Sequence, residues 1–152
     1  HRDLHSFPTR RSSDLVIING EKNTDIENRI FSKNKEIKIF YIKYKAQNID
    51  KFKNKKVTAF AGIGNPINFF NLLRDNNIDI LEEISFPDHY NYFGKELENL
   101  INKAKENNTI LLTTEKDYLR IDDNYKKNIN FLKIAVEIEN RNQFIEEIKK
   151  VI

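Results

Sequence analysis

From residue 57 onward, stretches with the composition of buried strands alternate with stretches whose apolar residues recur at helical spacing. Val57–Ala61 is a short apolar run, whereas Leu97, Leu100, Ile101 and Ala104 follow the i, i+3, i+4, i+7 pattern of an amphipathic helix. Strands that alternate with helices favour a mainly parallel sheet, because the helices serve as crossover connections. We therefore predict a Rossmann-like, layered α/β fold with a sheet of about four to six strands and flanking helices.

Local signals set the expected bounds of the elements. A β-rich composition predicts strands at Val16–Ile18, Glu36–Tyr44, Val57–Ala61, Ile78–Phe86, Thr109–Thr113 and Phe131–Ile138. Capping residues and apolar periodicity predict helices over Thr24–Phe31, from Asn65-Pro66 to Asn76, around Leu97–Ala104, over Thr114–Arg120 and from Asn140 onward. In the last helix, Phe144, Ile145, Ile148 and Ile152 are the expected buried residues. Asp122–Asn130 lacks periodicity and is expected to be a loop.

The segment Lys45–Lys56 is polar and basic, and it is expected to be a linker or a surface loop. Its lysines, with Phe52 between them, could contact phosphates or anionic lipid. Basic runs of this kind are more often simply solvated, and that is the interpretation we favour.

Composition narrows the functional classes. The net charge is +3, and the first fifteen residues hold three arginines and two aspartates, so the remainder is nearly balanced and gives no strong case for nucleic acid. The absence of cysteine excludes disulfides, thiolate chemistry and cysteine-ligated metals. No apolar run approaches the ~20 residues that are needed to span a bilayer. The sequence suggests no other metal site.

The first fifteen residues, HRDLHSFPTRRSSDL, resemble the translation of a common short-read sequencing adapter at every position. The chain also contains no methionine, which fits a reading frame without its natural start. We therefore treat residues 1–15 as a non-native arm, expected to be disordered, and exclude them from the fold. The natural chain is expected to begin upstream of Val16.

The stretch Phe86-Pro87-Asp88-His89-Tyr90-Asn91-Tyr92 holds the one histidine outside that arm. Pro87 removes a backbone donor and restricts the residue before it, so the preceding strand should end there. Asp88 and His89 would then lie at the carboxyl end of a strand, the edge where open α/β sheets bind ligands. On residues alone, we favour a polar turn in which Asp88 caps a backbone amide and His89 is merely exposed over a site in which Asp88 orients or charges the imidazole.

Two other loops fall at the same predicted edge. Gly62-Ile63-Gly64-Asn65-Pro66 joins a strand to a helix N-terminus, which can hold an anion, although a plain tight turn is the commoner outcome. Thr113–Asp117 follows another strand, and its charges could face a substrate or serve only to cap a helix. The sequence contains no Gly-x-x-x-x-Gly-Lys-Ser/Thr loop. Convergence of three loops at one edge indicates a site but names no reaction.

Three motifs together resemble the C-terminal half of the tetraacyldisaccharide 4'-kinase family, the lipid A 4'-kinases. They are VTAFAGIGNPINFF at 57–70, FPDHYNY at 86–92 and LTTEKDYLR at 112–120, and the resemblance extends over residues 16–152. It implies ATP- and Mg²⁺-dependent transfer of a phosphoryl group to the 4'-hydroxyl of a lipid A precursor disaccharide. It also implies a peripheral location at the cytoplasmic face of the inner membrane, with no role in binding nucleic acid.

The resemblance implies catalytic roles for Asp88 and His89, since the family's histidine supports a catalytic aspartate of the other domain. Asn65, Glu115, Lys116 and Asp117 match family motifs and are candidate substrate-binding residues without individual roles. No cofactor-binding or metal-binding residue is assigned, because the family's P-loop domain is not recognisable here. On this interpretation, residues 16–56 are a remnant of the N-terminal domain with its connector, residues 57–152 form the C-terminal α/β domain, and the fragment is inactive alone and binds neither ATP nor Mg²⁺ tightly.

Two other interpretations stay open at this point. One is a non-enzymatic α/β module that binds anionic lipid or nucleic acid through the basic Lys45–Lys56 segment. The other is a complete small Rossmann-like transferase whose phosphate site is the Gly62–Pro66 loop. A P-loop in the upstream reading frame would favour the kinase fragment, and a natural start codon just before Val16 would favour the alternatives.

Overall fold

A computed structural model of the chain describes residues 15–151, with side chains described through residue 150. Residues 1–14 of the predicted arm therefore lie outside the described residues, whereas Leu15 begins the first strand. The described residues divide into two compact units, one formed by Lys45–Ala135 and the other by residues 15–44 together with 136–151.

The secondary structure alternates strands and helices along most of the chain. In order, the elements are β1 (Leu15–Asn19), α1 (Thr24–Phe31), β2 (Lys38–Ala46), a 3₁₀ turn (Ile49–Phe52), β3 (Lys56–Ala61), α2 (Pro66–Asp75), β4 (Asp79–Ser85), α3 (Gly94–Glu106), β5 (Ile110–Thr114), α4 (Glu115–Arg120), α5 (Asp123–Lys126), β6 (Asn130–Leu132), β7 (Ile134–Ile138) and α6 (Arg141–Val151).

The unit formed by Lys45–Ala135 is built on a four-stranded sheet in the order β4-β3-β5-β6. Every neighbouring pair is parallel, with Ala59 opposite both Glu83 and Leu112 and with Leu112 opposite Asn130. Helices connect the strands, as parallel pairing requires. The predicted α/β class with a mainly parallel sheet and flanking helices is therefore confirmed. All four strands end at one edge, and the connections that follow β3, β4 and β5 share that edge.

Two apolar layers cover this sheet. Val57, Ala59 and Ala61 of β3 pack with α2 residues on one side, whereas Phe60 packs with the α3 stripe that the sequence predicted on the other. The strand period of two sends alternate residues to opposite faces. Because both faces are covered, β3 is buried almost throughout and is a rigid support for the loop that follows it.

The segment Lys45–Lys56 was expected to be a linker or loop, and this was only partly correct. Its lysines are exposed, but Ile49 and Phe52 form one side of the 3₁₀ turn and are buried in the core beneath β3. Phe52 is therefore not available to contact a ligand beside the lysines. The 3₁₀ turn was missed because a four-residue element leaves no measurable periodicity in the sequence.

The end of this unit also differs from expectation. The loop predicted at Asp122–Asn130 contains the short helix α5, capped by the Asp122 side chain. The single strand predicted at Phe131–Ile138 is two strands that belong to different sheets and are separated at Lys133. At this break Asn48 accepts a hydrogen bond from the Lys133 N–H at 2.7 Å and donates one to the Phe131 carbonyl at 2.9 Å.

The second unit contains the sheet β1-β2-β7, in which β1 and β2 are parallel. Phe144 of α6 packs edge-on against Phe40 of β2, with ring centroids 5.2 Å apart. The Asn140 carbonyl accepts the first helical hydrogen bond from Phe144, which confirms the start of the helix. Ile145 was expected to be buried but is exposed, and Ile152 lies outside the described residues. Among residues 15–151, no helix has the length and apolar character that crossing a bilayer requires.

Candidate functional site at the carboxyl edge of the parallel sheet

The three loops singled out in the sequence meet at the carboxyl edge of the sheet in the Lys45–Ala135 unit. The N–H of Gly62, after β3, donates to Oδ2 of Asp117 in α4 at 3.0 Å. The Gly62 carbonyl accepts from the N–H of His89, after β4, at 3.1 Å. The expected convergence is thus observed, because parallel strands bring their carboxyl ends to one side.

Aromatic residues hold the base of the loop that carries His89. Phe86 packs against Tyr90 and Tyr92 with ring centroids 4.9 Å and 5.3 Å apart, and Tyr92 packs edge-on against the fully buried Phe60 at 5.5 Å. Such pairs add ~0.5–1.5 kcal/mol each beyond the area that they bury. The aromatic residues of the FPDHYNY motif therefore fold inward, and Asp88 and His89 are left at the tip.

Asp88 and His89 form an exposed acid–base pair. Their side chains are 48% and 70% exposed, and His89 Nε2 lies 3.8 Å from Asp88 Oδ2. The other Asp88 oxygen accepts the backbone N–H of His89 at 3.0 Å, which ties the carboxylate to its own loop. The imidazole is therefore accessible to a group that approaches this edge, and the carboxylate lies close enough to orient it.

The backbone of His89 has a left-handed conformation, with φ of 56°. The other described non-glycine residues with positive φ are all asparagines, at positions 54, 77, 108 and 140. Asparagine, aspartate and histidine are enriched in this region, whereas for most other side chains it costs about 1–2 kcal/mol. His89 therefore places an imidazole at a positive-φ position, whereas the other described non-glycine positions of this kind hold asparagine.

The Thr114–Arg120 segment forms a second acid–base pair, between the buried Asp117 and the partly exposed Arg120. Asp117 is fully buried, and its carboxylate accepts hydrogen bonds from the Thr114 hydroxyl at 2.7 Å, from Gly62 and from Arg120. Thr114 also accepts the Asp117 N–H at 3.0 Å, which confirms the predicted helix cap. The Arg120 guanidinium donates to the Gly62 carbonyl at 2.8 Å. This pair holds the loop after β3 rather than facing solvent.

The remaining candidate residues are not drawn into these contacts. Asn65 occupies the N-cap position of α2, as expected, but its exposed side chain makes no capping hydrogen bond. Glu115 is half-buried and Lys116 is exposed at the start of α4. Of the six residues named from the sequence, the structure thus links Asp88, His89 and Asp117 through Gly62 and leaves the other three apart. The functional roles of all six stay predictions.

Sequence reasoning missed Arg120 and Tyr92 as parts of this edge. The spacing of Asp117 and Arg120 at i, i+3 on one helix could have indicated their ion pair. Tyr92 lies behind the His89 loop with its hydroxyl buried, and that hydroxyl has no hydrogen-bond partner of good geometry among the described residues. Burial, reinforced by the nearby negative charge of Asp117, raises the pKa of the Tyr92 phenol far above its ordinary value.

The side chains described at this edge of the sheet are poorly suited to binding a metal ion or a phosphate by themselves. Among residues 15–150 no three histidine or acidic side chains come together in a group that could hold a metal ion. The loop after β3 leads to the N-terminus of α2, but the Asp88 carboxylate lies against it, 3.4 Å from where a Cβ on Gly64 would be. A carboxylate at that position repels a phosphate, which argues against the Gly62–Pro66 loop as an independent phosphate site.

The parallel sheet, with polar side chains on the loops at its carboxyl edge, places the chain among the α/β proteins, whose open sheets bind ligands at that edge. The family model of the tetraacyldisaccharide-1-P 4'-kinases (LpxK) matches residues 3–152, and the chain belongs to this family. It is 40% identical over 150 residues to the tetraacyldisaccharide 4'-kinase of Rickettsia bellii (strain OSU 85-389), which covers 97% of the chain and 45% of that protein. The corresponding kinase of Pelagibacter ubique (strain HTCC1062) is 33% identical over 144 residues, covering 93% of the chain and 46% of that protein.

A solved structure supports the same fold. The chain superimposes on the crystal structure of the "apo" form of LpxK from Aquifex aeolicus in complex with ATP, with a TM-score of 0.52 and 19% identity. The match covers 90% of this chain and 51% of that one. The chain thus spans about half the length of the relatives that it matches.

Proposed function

We propose that this chain forms part of a tetraacyldisaccharide 4'-kinase, in which ATP donates a phosphoryl group to the 4'-hydroxyl of a lipid A precursor disaccharide. Family membership supports the reaction class, and the observation that carries the proposal in the structure is the position of His89. Its imidazole is 70% exposed, its backbone is left-handed, and Asp88 lies beside it. A non-glycine residue with positive φ at the edge where open α/β sheets bind ligands is a candidate for a functional role.

His89 is proposed to assist removal of the proton from the acceptor hydroxyl. It would do so either directly or by orienting a carboxylate that accepts this proton. The adjacent Asp88, whose Oδ2 lies 3.8 Å from His89 Nε2, is close enough to orient the imidazole. Phosphoryl transfer depends mainly on positioning and on charge neutralisation, so a histidine of this kind assists the proton transfer rather than forming a covalent bond.

The donor set described above does not fit Mg²⁺ or the phosphates of ATP. In the proposed enzyme these groups would be bound outside the described residues, in the P-loop domain that the resemblance implies. The chain alone is therefore expected to show no kinase or ATPase activity, which a phosphate-release assay checks. Calorimetric titration showing tight ATP binding to the chain would instead support a complete small transferase.

The test of His89 requires a complete kinase. In the Rickettsia bellii enzyme, this chain from residue 16 onward would replace the matching half, and turnover would be measured with His89, His89→Ala and His89→Asn. Asparagine is the matched control because it keeps the left-handed backbone but removes the imidazole. Both variants should lower kcat by about 10²-fold, near the lower end of general acid–base effects, and leave KM for ATP nearly unchanged. Unaltered kcat in both variants would refute the role of the imidazole.

We also propose that this edge of the sheet faces the membrane surface, at the cytoplasmic face of the inner membrane. Ile67 in the first turn of α2, Phe93 just before α3 and Leu119 in α4 are 62%, 68% and 71% exposed. Each of them lies on the segment that follows the carboxyl end of a strand. Exposed apolar side chains beside a site for a lipid substrate suit contact with acyl chains or the bilayer interface.

Vesicle sedimentation tests this location. Binding of the chain to anionic phospholipid vesicles should weaken severalfold in the Phe93→Ser and Leu119→Ser variants, since each removes a large buried apolar contact with the bilayer. Leu81→Ser is the control, because Leu81 is also exposed but lies within β4, away from the carboxyl edge. Equal binding of all three variants would exclude this edge as the membrane-facing surface.

A further inference from the structure

Both backbone polar groups of Gly62 are bound by a single ion pair, between the buried Asp117 and the partly exposed Arg120. The Gly62 N–H donates to Asp117 Oδ2 at 3.0 Å, and the Gly62 carbonyl accepts from Arg120 Nη2 at 2.8 Å. Asp117 and Arg120 are themselves paired across one turn of α4. The same Gly62 carbonyl accepts the His89 N–H at 3.1 Å. Gly62 therefore links the pair in α4 directly to the backbone of His89.

The space around Gly62 is filled by the loop that carries His89. A Cβ on Gly62 would lie 2.8 Å from the Tyr92 hydroxyl, 3.1 Å from the Tyr90 Cβ and 3.2 Å from the Pro87 carbonyl oxygen. Real Cβ atoms essentially never come as close as the Tyr92 hydroxyl would be, and the other two distances are also tight, so a side chain at this position would require a shift of the neighbouring loop. A displacement of Gly62 would therefore be transmitted to the segment from Pro87 to Tyr92, which contains His89.

The Asp117–Arg120 pair is not arranged as a purely stabilising contact would be. Two nitrogens of the guanidinium, Nε and Nη1, are buried and have no hydrogen-bond partner among the described residues. Burying an ion pair with unsatisfied donors gains little stability compared with apolar packing. What the pair does supply is a fixed direction for the two hydrogen bonds to Gly62, since a guanidinium is planar and its donors are rigidly spaced.

We propose that Asp117 and Arg120 are positioning residues, which hold His89 in its left-handed conformation through Gly62. This inference rests on the proposed role of His89 in phosphoryl transfer. It assigns a task to the LTTEKDYLR motif, whose part in the site the sequence left open. The proposed effect passes through Gly62, whose N–H and carbonyl bind Asp117 and Arg120 and whose carbonyl also accepts the His89 N–H.

Amide hydrogen exchange of the 152-residue chain tests the linkage without any activity measurement. In Arg120→Lys, the ammonium keeps the charge opposite Asp117 but loses the guanidinium geometry at the Gly62 carbonyl. Exchange at the Gly62 and His89 amides should accelerate about tenfold, the effect of losing one such hydrogen bond. Exchange in the core of α3 should not change. Arg74→Lys is the control, since Arg74 forms an exposed ion pair with Glu83 on the same unit and should leave His89 unaffected.

Two outcomes of the exchange experiment would overturn the proposal. Unchanged exchange at His89 in a folded Arg120→Lys protein would show that the pair does not hold this loop. Uniform acceleration throughout the unit, or failure of Arg120→Lys to fold, would show that the pair contributes only to general stability. Asp117→Asn provides a second variant, because it keeps the shape of the side chain and removes its charge.

Kinetics of the complete chimaeric kinase separate positioning from stability. Arg120→Lys should lower kcat severalfold and leave KM for ATP unchanged, and it should have no further effect when His89 is already alanine. Equal and independent losses in the two backgrounds would contradict an action through His89. If His89→Ala alone leaves kcat unchanged, the proposed role of His89 fails, whereas the exchange result still decides whether the pair fixes the loop.

Discussion

Two acid–base pairs lie at the same edge of one parallel sheet and differ in almost every physical respect. Asp88 and His89 are exposed and 3.8 Å apart, whereas Asp117 is fully buried and pairs closely with Arg120. The exposed pair is adjacent in sequence and makes few contacts, and the buried pair binds a threonine hydroxyl and a peptide group as well. The exposed Asp88–His89 pair can contact a ligand, whereas the Asp117–Arg120 pair is proposed to fix the position of His89.

The largest expected contrast between the pairs is in stability. Asp117→Ala leaves the Arg120 guanidinium and the Gly62 N–H without their acceptor, so the free energy of unfolding should fall by about 3–5 kcal/mol. Asp88→Ala removes an exposed interaction and should change it by less than about 1 kcal/mol. Urea denaturation followed by circular dichroism measures both values. Similar losses in the two variants would mean that exposure does not distinguish the pairs.

The two glycines of the loop after β3 give the next largest contrast. Gly62→Ala would press a methyl group against the Tyr92 hydroxyl and the Pro87 carbonyl, which should cost about 1–3 kcal/mol. Gly64→Ala meets only the Asp88 carboxylate at ordinary contact distance, so it should be neutral or stabilise by up to about 1 kcal/mol. Thermal melts of the two variants provide the comparison, and a destabilised Gly64→Ala would contradict it.

Alkaline titration gives a smaller and more local contrast. The pKa of the Tyr92 phenol is raised in the folded protein. The free energy of unfolding should therefore be unaffected by this group below the pKa of ~10 of an unfolded tyrosine, and it should fall as the pH rises above that value. Removal of the Asp117 charge by Asp117→Asn should lower the pKa of Tyr92, whereas Asp88→Asn should not alter it. Ultraviolet absorbance of the tyrosinate, compared with Tyr92→Phe, measures the difference. Ionisation of Tyr92 together with the exposed tyrosines would argue against its burial beside Asp117.

The smallest effect on stability is expected for His89→Asn. His89→Asn keeps a residue suited to positive φ and should change the free energy of unfolding by less than about 0.5 kcal/mol. His89→Val places a β-branched side chain in the left-handed region and should cost about 1–2 kcal/mol. Chemical denaturation of both variants tests whether backbone conformation, rather than the imidazole, determines stability here. A large loss in His89→Asn would indicate that the imidazole is a structural element.

The sequence predicted the parallel sheet and its common edge because these follow from strand–helix alternation and from the direction of parallel strands. The cap of α4 could also be predicted, since Thr114 and Asp117 interact within one turn. Contacts between segments that are distant in sequence could not be predicted. Nothing in the spacing of Gly62 and Asp117, 55 residues apart, reveals that they bond. The left-handed backbone of His89 was also not predicted, because most histidines have negative φ even though histidine is among the residues enriched in that region.

The short 3₁₀ turn and the break between β6 and β7 were not predicted from the sequence for a different reason. Phe131–Ile138 has the composition of one continuous strand, and only the positions of its partners divide it at Lys133. The basic segment was taken for a loop because its two buried residues, Ile49 and Phe52, are too few to form a periodic pattern. In both regions tertiary packing overrode the local sequence signal.

The Asn48 contacts have a consequence for protein engineering. The chain enters the Lys45–Ala135 unit and leaves it at neighbouring points, where Gln47 donates to the Lys133 carbonyl at 2.8 Å and Asn48 bonds to both Lys133 and Phe131. A segment whose two ends are joined by hydrogen bonds is a suitable unit for transfer into a related protein. We therefore expect the 45–135 segment to tolerate exchange between relatives, with the edge that carries Asp88 and His89 kept as one piece.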